Sequence, residues 1–168
     1  MKTHLVTQPT DDEGPSETMG GVLSSLLTSR NPFFDKVWLV SAFANQRAVR
    51  YLSPHISEAK SHGADIRIVV GIDHHSTSIE ALRGIKALEV DARIVHNARP
   101  GHTFHPKIYL FEAGGIAAEL FIGSNNLTEG GLYTNYEAST QISFVFPEDT
   151  AEYEAIKKSG ELYVIEII

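Results

Sequence analysis

Two apolar runs, Lys36 to Phe43 (KVWLVSAF) and Asp65 to Ile72 (DIRIVVGI), are separated by a single segment of helical period, and this arrangement limits the chain to few folds. KVWLVSAF is apolar on both parities and rich in large or β-branched side chains, the pattern of a strand covered on both faces. Between the runs, Asn45 to His62 sets Ala48, Val49, Leu52, Ile56 and Ala59 on one helical face and stops at Gly63. Strand, helix, strand in this order requires a right-handed crossover and neighbouring parallel strands under a helical layer. Pro54 falls inside the helical segment, and its missing N–H predicts a break near Leu52 to Pro54.

The same alternation extends in both directions. A short strand, His4 to Gln8, leads into the turn-rich loop Thr10 to Ser16, and a helix over Glu17 to Ser29 carries Met19, Val22, Leu23, Leu26 and Leu27 as its apolar stripe. Thr77 with Glu80 forms a capping-box pattern for a helix whose core side is Ile79, Leu82, Ile85 and Leu88, followed by a strand from Ala92 to His96. Strands Phe104 to Glu112 and Ala117 to Gly123 flank Ala113-Gly114-Gly115 and read as a hairpin. A strand from Ala138 to Phe146 and a helix from Glu148 to Lys158 follow. The apolar end, Leu162 to Ile168, reads as a strand that either pairs at a sheet edge or marks a piece of a longer protein. The expected fold is α/β, a mixed, mostly parallel central sheet with helices on both faces. At 168 residues, it fits one domain.

Composition narrows the function classes. With 42% hydrophobic and 21% charged residues the chain is outside the disordered regime. Zero cysteines remove thiolate nucleophiles, disulfides and sulfur-ligated metal sites together. No apolar run approaches the roughly 20 residues that span a bilayer, and the polar start, Met1 to Glu17, lacks the order of a secretion signal, so a cytoplasmic protein with no membrane partner is expected. A net charge of −7 means that a nucleic-acid partner needs a local positive site.

That site is sought where chemistry-bearing side chains recur at strand spacing. In His105-Pro-Lys107 the period of two puts the imidazole and the ammonium on one face. The hairpin partner ends in Gly123-Ser124-Asn125-Asn126, where small polar side chains reach the rim, and Glu137 opens the next strand there. An imidazole, an ammonium, a carboxamide, a hydroxyl and a carboxylate at one edge suit a phosphate-like oxyanion. Asn125 reads as a turn residue, and Glu112, ending a strand, as either a structural acceptor or a merely exposed carboxylate. Arg93, Arg99 and Lys107 supply positive charge, and Arg99, beside Pro100-Gly101, is the candidate for phosphate-backbone contact. His74-His75 and His96 with His102 suggest metal ligation, but adjacent histidines point to opposite faces and no carboxylate falls at ligand spacing, so no metal and no cofactor are expected.

The pattern His105, Lys107, Glu112, Gly123, Ser124, Asn126 resembles the phospholipase D superfamily, whose signature is His-x-Lys, four residues, an acid, then Gly-Ser-x-Asn. Glu112 replaces the usual aspartate, and the spacer to the glycine is longer than usual; neither change touches the atoms that handle phosphate. Glu137 lies eleven residues beyond Asn126, as does a glutamate that contacts the catalytic histidine in the small bacterial nuclease branch. The earlier strands resemble those of phospholipase-D-like restriction endonucleases. The resemblance implies a metal-independent nuclease acting on DNA, with RNA as the alternative. His105 would be the nucleophile forming a phosphohistidine, Lys107 and Asn126 would hold phosphate oxygens with Ser124 assisting, and Glu137 would orient the imidazole. The leaving oxygen needs a proton from a second histidine. Because the chain holds one His-x-Lys, a two-fold homodimer with a shared site is expected. The competing readings are hydrolysis of phospholipids or other small phosphodiesters, and a phosphate-binding module without turnover.

Overall fold

The computed structural model describes residues 1–8 and 17–165, and in it the two apolar runs lie at the centre of one seven-stranded sheet. The strands are β1 (Lys2–Gln8), β2 (Lys36–Ser41), β3 (Asp65–Gly71), β4 (Asp91–Val95), β5 (Lys107–Ala113), β6 (Ala117–Gly123) and β7 (Glu137–Val145). The helices are α1 (Met19–Leu27), α2 (Gln46–Ser61), α3 (Ile79–Ala87) and α4 (Thr150–Ile165). Across the sheet the order is β1-β7-β6-β5-β2-β3-β4.

The expected βαβ unit is present: β2 pairs parallel with β3, and β3 with β4. The other four pairings, β1 with β7, β7 with β6, β6 with β5 and β5 with β2, are antiparallel. The sheet is therefore mixed but mostly antiparallel, which corrects the parallel majority expected from the first half. Crossover logic governs only strands joined through helices, and β5 and β6 are joined by the turn Gly114 to Ile116, too short to cross the sheet. At the β5–β6 turn Gly114 and Gly115 take φ of 23° and 74°, a left-handed bend that fits glycine.

Helices cover both faces, as expected. On one, Leu23 and Leu27 of α1, Leu52 and Ile56 of α2 and Ala81 and Ile85 of α3 pack on Val37, Leu39, Ile68, Tyr109, Phe111 and Phe121. On the other, Tyr153 of α4 joins Ala118, Leu120 and Phe144, its ring meeting those of Phe144 and Phe146 edge-on.

Four local expectations change. Helix α2 runs unbroken through Pro54. The lost backbone bond costs about 3 kcal/mol, but Leu52 and Ile56 are each fully buried, which contributes about 1.5–3 kcal/mol apiece, and the apolar face holds the helix together. Ser78, not Thr77, caps α3 by accepting from Ala81 N at 3.1 Å. Thr77 instead donates to Gly71 O and accepts from Ala44 N, tying the turn to the ends of β2 and β3; Ile79 is exposed. Strand β5 begins at Lys107 because Pro106 has no N–H for the ladder. Leu162 to Ile165 continue α4 rather than forming a strand; the rest of that tail, like the loop Thr10 to Ser16, lies outside the described residues.

Candidate active site

One rim of the sheet collects the end of β2, the start of β5, the end of β6 and the start of β7, since Ser41 pairs with Lys107, Ile108 with Ile122, and Gly123 with Ser139. The carboxyl ends of β3 and β4 reach the same rim beside β2. Ligands of open α/β sheets sit at such an edge, where strand order switches.

Lys107 stands on the face of Tyr109 and Phe111, so its stem is buried and its ammonium emerges at the rim. Nζ lies 2.7 Å from Nδ1 and 3.0 Å from Nε2 of His105 and donates to the His105 carbonyl at 3.0 Å. The imidazole is exposed and meets the Phe43 ring edge-on at 5.6 Å. Partial burial, then the charge of Lys107, then that of His74, hold its pKa below the ordinary imidazole value. Neutral imidazole, with a lone pair on one nitrogen, is therefore the resting form at pH 7. Burial likewise lowers the Lys107 pKa, and the nearby Glu137 carboxylate opposes that shift.

The Gly-Ser-Asn-Asn turn divides its labour. Asn125 is fully buried: Nδ2 donates to Gly131 O at 2.7 Å, Oδ1 accepts a short hydrogen bond from Ser139, and its carbonyl accepts from the buried Tyr109 hydroxyl. It is structural, as the turn reading expects. Asn126 is half-buried at the rim; its Oδ1 lies 3.5 Å from Ser41 Oγ, and its Nδ2 has no bond to another described residue. Ser124 both donates to Ala138 O and accepts from Ala138 N, so its hydroxyl is engaged with β7. Gly123 is required by that approach, since a Cβ there would sit 2.4 Å from the Ala138 carbonyl oxygen. Glu137 reaches the rim, and its carboxylate accepts from Asn135 Nδ2 at 3.3 Å; among the described residues that bond, not one to His105, is its hydrogen bond. Arg99 lies exposed in the loop after β4, while Arg93 is tied to Asp91.

Glu112 sits at the opposite end of β5, where it accepts from Lys157 Nζ at 2.7 Å and from the Tyr153 hydroxyl. The acid of the signature thus anchors α4.

The domain family described as Cardiolipin synthase, PLD-like domain, matches residues 23–156, a span that includes every strand except β1. The chain belongs to the phospholipase-D-like family. Its PLD-like fold is similar to Nuc, a phospholipase D family member from Salmonella typhimurium (16% identity, TM-score 0.62), with 94% of this chain and 92% of that one covered. NucT from Helicobacter pylori matches at 17% identity and TM-score 0.61, covering 99% and 96%. The yeast tyrosyl-DNA phosphodiesterase matches at 12% identity and TM-score 0.53 over 86% of this chain and 32% of that one. No curated protein sequence matches.

Several residues that build this PLD-like rim carry no sequence signal of their own. Ser41, fully buried, donates to Phe43 O and accepts from Leu127 N at 2.8 Å, pinning the turn that bears Asn126 onto β2. Gln8 bonds Gly130 O, Gly131 O and Met19 N, bracing the turn after it. Asp73 accepts from Asn97 N, Phe104 N and His96 Nδ1, and the Phe104 bond fixes the residue preceding His105. A buried polar residue at a strand end is the one hint, and any sequence contains many.

Proposed function

We propose that this chain is a metal-independent phosphodiesterase, a DNA endonuclease of restriction-enzyme type in which two copies form one active site. The observation that carries the reading is the His105–Lys107 pair: a neutral imidazole with an ammonium at 2.7 Å. A phosphodiester oxygen entering the rim competes for that ammonium, releasing the imidazole lone pair as it places phosphorus beside it. Nitrogen then attacks phosphorus and the P–O bond to the leaving group breaks. The negative charge that builds on the non-bridging oxygens meets the donors of Lys107 and Asn126, which are worth more in a desolvated site than in water. Water attacks the phosphohistidine in the second step and regenerates His105.

The alkoxide that leaves needs a proton, and a nucleophilic imidazole cannot supply it in the same step. His105 of a second copy, brought face to face by a two-fold axis, supplies it, and the anionic diester between the rings favours a proton on that second ring. Glu137, whose charge acts on Lys107, steadies the ammonium and turns to the imidazolium as it forms. Support for DNA comes from the fold shared with a tyrosyl-DNA phosphodiesterase and with TrmBL2, an archaeal chromatin protein with a DNA-binding mode (13% identity, TM-score 0.53). No helix among the described residues is long and apolar enough to cross a membrane.

The deciding experiment is cleavage of plasmid and oligonucleotide DNA in EDTA by the parent protein and by His105→Ala. Cleavage by the parent alone is expected. A requirement for magnesium would overturn the mechanism, and full activity in a protein that sediments as a monomer at assay concentration would overturn the shared site.

A further inference from the structure

Beside the His105 rim, the turn after β3 and the loop after β4 enclose an open cleft of about 420 Å³. Four of the chain's eight histidines, His74, His75, His96 and His102, line it together with Arg99. In a protein of net charge −7 this is a local concentration of cationic and cationisable groups. Among the described residues no three His, Asp or Glu side chains converge to hold a metal ion, so ligation does not account for the cluster.

The one acid in the cleft, Asp73, is spent. It is 6% exposed, its pKa is lowered chiefly by the Phe104 backbone bond, and its three donors come from Phe104, Asn97 and His96. Those bonds hold the two loops and the approach to His105 as one unit. His74 and His75 take φ of 57° and 56°, a left-handed conformation that costs a non-glycine residue of order 1 kcal/mol or more and recurs at functional sites. His74 Nε2 meets Thr103 Oγ1 at 2.8 Å, two residues before His105, and its charge is felt at the His105 imidazole, so the cleft opens onto the catalytic group. The Arg99 guanidinium has no hydrogen bond to another described residue.

Building on the nuclease reading, we propose that this cleft is a second anion subsite, in which Arg99, His75 and His102 bind the phosphodiester next to the scissile one on a polynucleotide strand. An open, exposed, many-histidine surface suits a strand laid across it better than a small enclosed ligand. Arg99 contributes a fixed guanidinium charge, and His75 and His102 offer ring N–H donors to phosphate oxygens, with Asp73, His74, His96 and His105 as the neighbouring titratable groups. Each phosphate contact adds about 0.7–0.9 to the slope of log affinity against log salt.

The test is anisotropy titration of a labelled oligonucleotide against the full chain carrying His105→Asn to prevent cutting, over a range of salt. Adding Arg99→Ala is expected to lower the salt slope by about one. Adding His75→Ala with His102→Ala is expected to weaken binding several-fold at fixed salt, while Arg30→Ala, remote in its pair with Glu58, changes neither slope nor affinity. An unchanged slope in the Arg99 variant, unchanged affinity in the double histidine variant, or no binding at all would overturn the subsite. In parallel, the protein with His105 intact is assayed on the oligonucleotide and on bis(p-nitrophenyl) phosphate, a diester with no neighbouring phosphate. Hydrolysis of neither sinks the nuclease reading; hydrolysis of both with an unchanged salt slope sinks the subsite alone.

Discussion

At the far end of β5, Lys157 donates to Glu112 at 2.7 Å, the Tyr153 hydroxyl donates to the same carboxylate, and the Lys157 ammonium lies 5.8 Å from the Trp38 ring centre. At the near end the Lys107 ammonium meets a neutral imidazole and a carbonyl, with the Glu137 carboxylate close enough to act on it but hydrogen-bonded to Asn135. Both ammonium groups lie at ends of β5, Lys107 carried by the strand and Lys157 by α4, yet one has its charge matched by a bonded acid and the other does not. An ion pair with its partner bonded is a fastening. An ammonium whose bonded partners are uncharged retains attraction for an anion from outside.

The contrast can be broken most severely at His105. His105→Ala is expected to lower DNA cleavage by about 10⁴-fold or more, the scale of losing a nucleophile, with the thermal midpoint preserved because the ring is exposed. Lys107→Met, which keeps the buried stem, is expected to cost about 10²–10³-fold in kcat, the scale of losing one preorganised donor to the transition state. Substitution at the far end separates the two lysines. Glu112→Gln is expected to lower stability by about 1–3 kcal/mol through the weakened bonds to Lys157 and Tyr153, read as a drop in the denaturant midpoint, with kcat retained.

The smallest effect is a displacement along the pH axis. With the His105 pKa held below the ordinary value, the acid limb of kcat/KM should fall below pH 6.5; with the Lys107 pKa lowered, the alkaline limb should fall below the ordinary lysine range. The sign for stability follows the same shift: as pH drops past 6.5 the unfolded chain takes up a proton that folded His105 resists, so this residue's contribution is lost toward acid. An acid limb at or above 6.5 would contradict the neutral resting imidazole.

Much of this was legible in the chain. KVWLVSAF and DIRIVVGI announce strands covered on both faces, and the His105, Lys107 and Asn126 spacing announces the rim, because those signals are local and periodic. Pairing direction was not, since whether β5 runs against β2 depends on how a loop crosses the rim, and no spacing encodes that. Pro54 misleads for a related reason: the penalty is local, while the burial that overrides it comes from elements far away in sequence. Ser41, Gln8 and Asp73 were invisible because each acts by a hydrogen bond to backbone remote along the chain, 86 residues away in the case of Ser41 and Leu127.

The hairpin turn at Gly114-Gly115 lies at the end of β5 away from the histidine, and it separates Lys107 and the preceding His105 from the strand that leads to Asn126. A chain nicked there yields two fragments, each holding part of the candidate site and neither able to complete the sheet alone. Hydrolysis would then report their reassociation, which makes this turn the natural point at which to convert the protein into a split reporter.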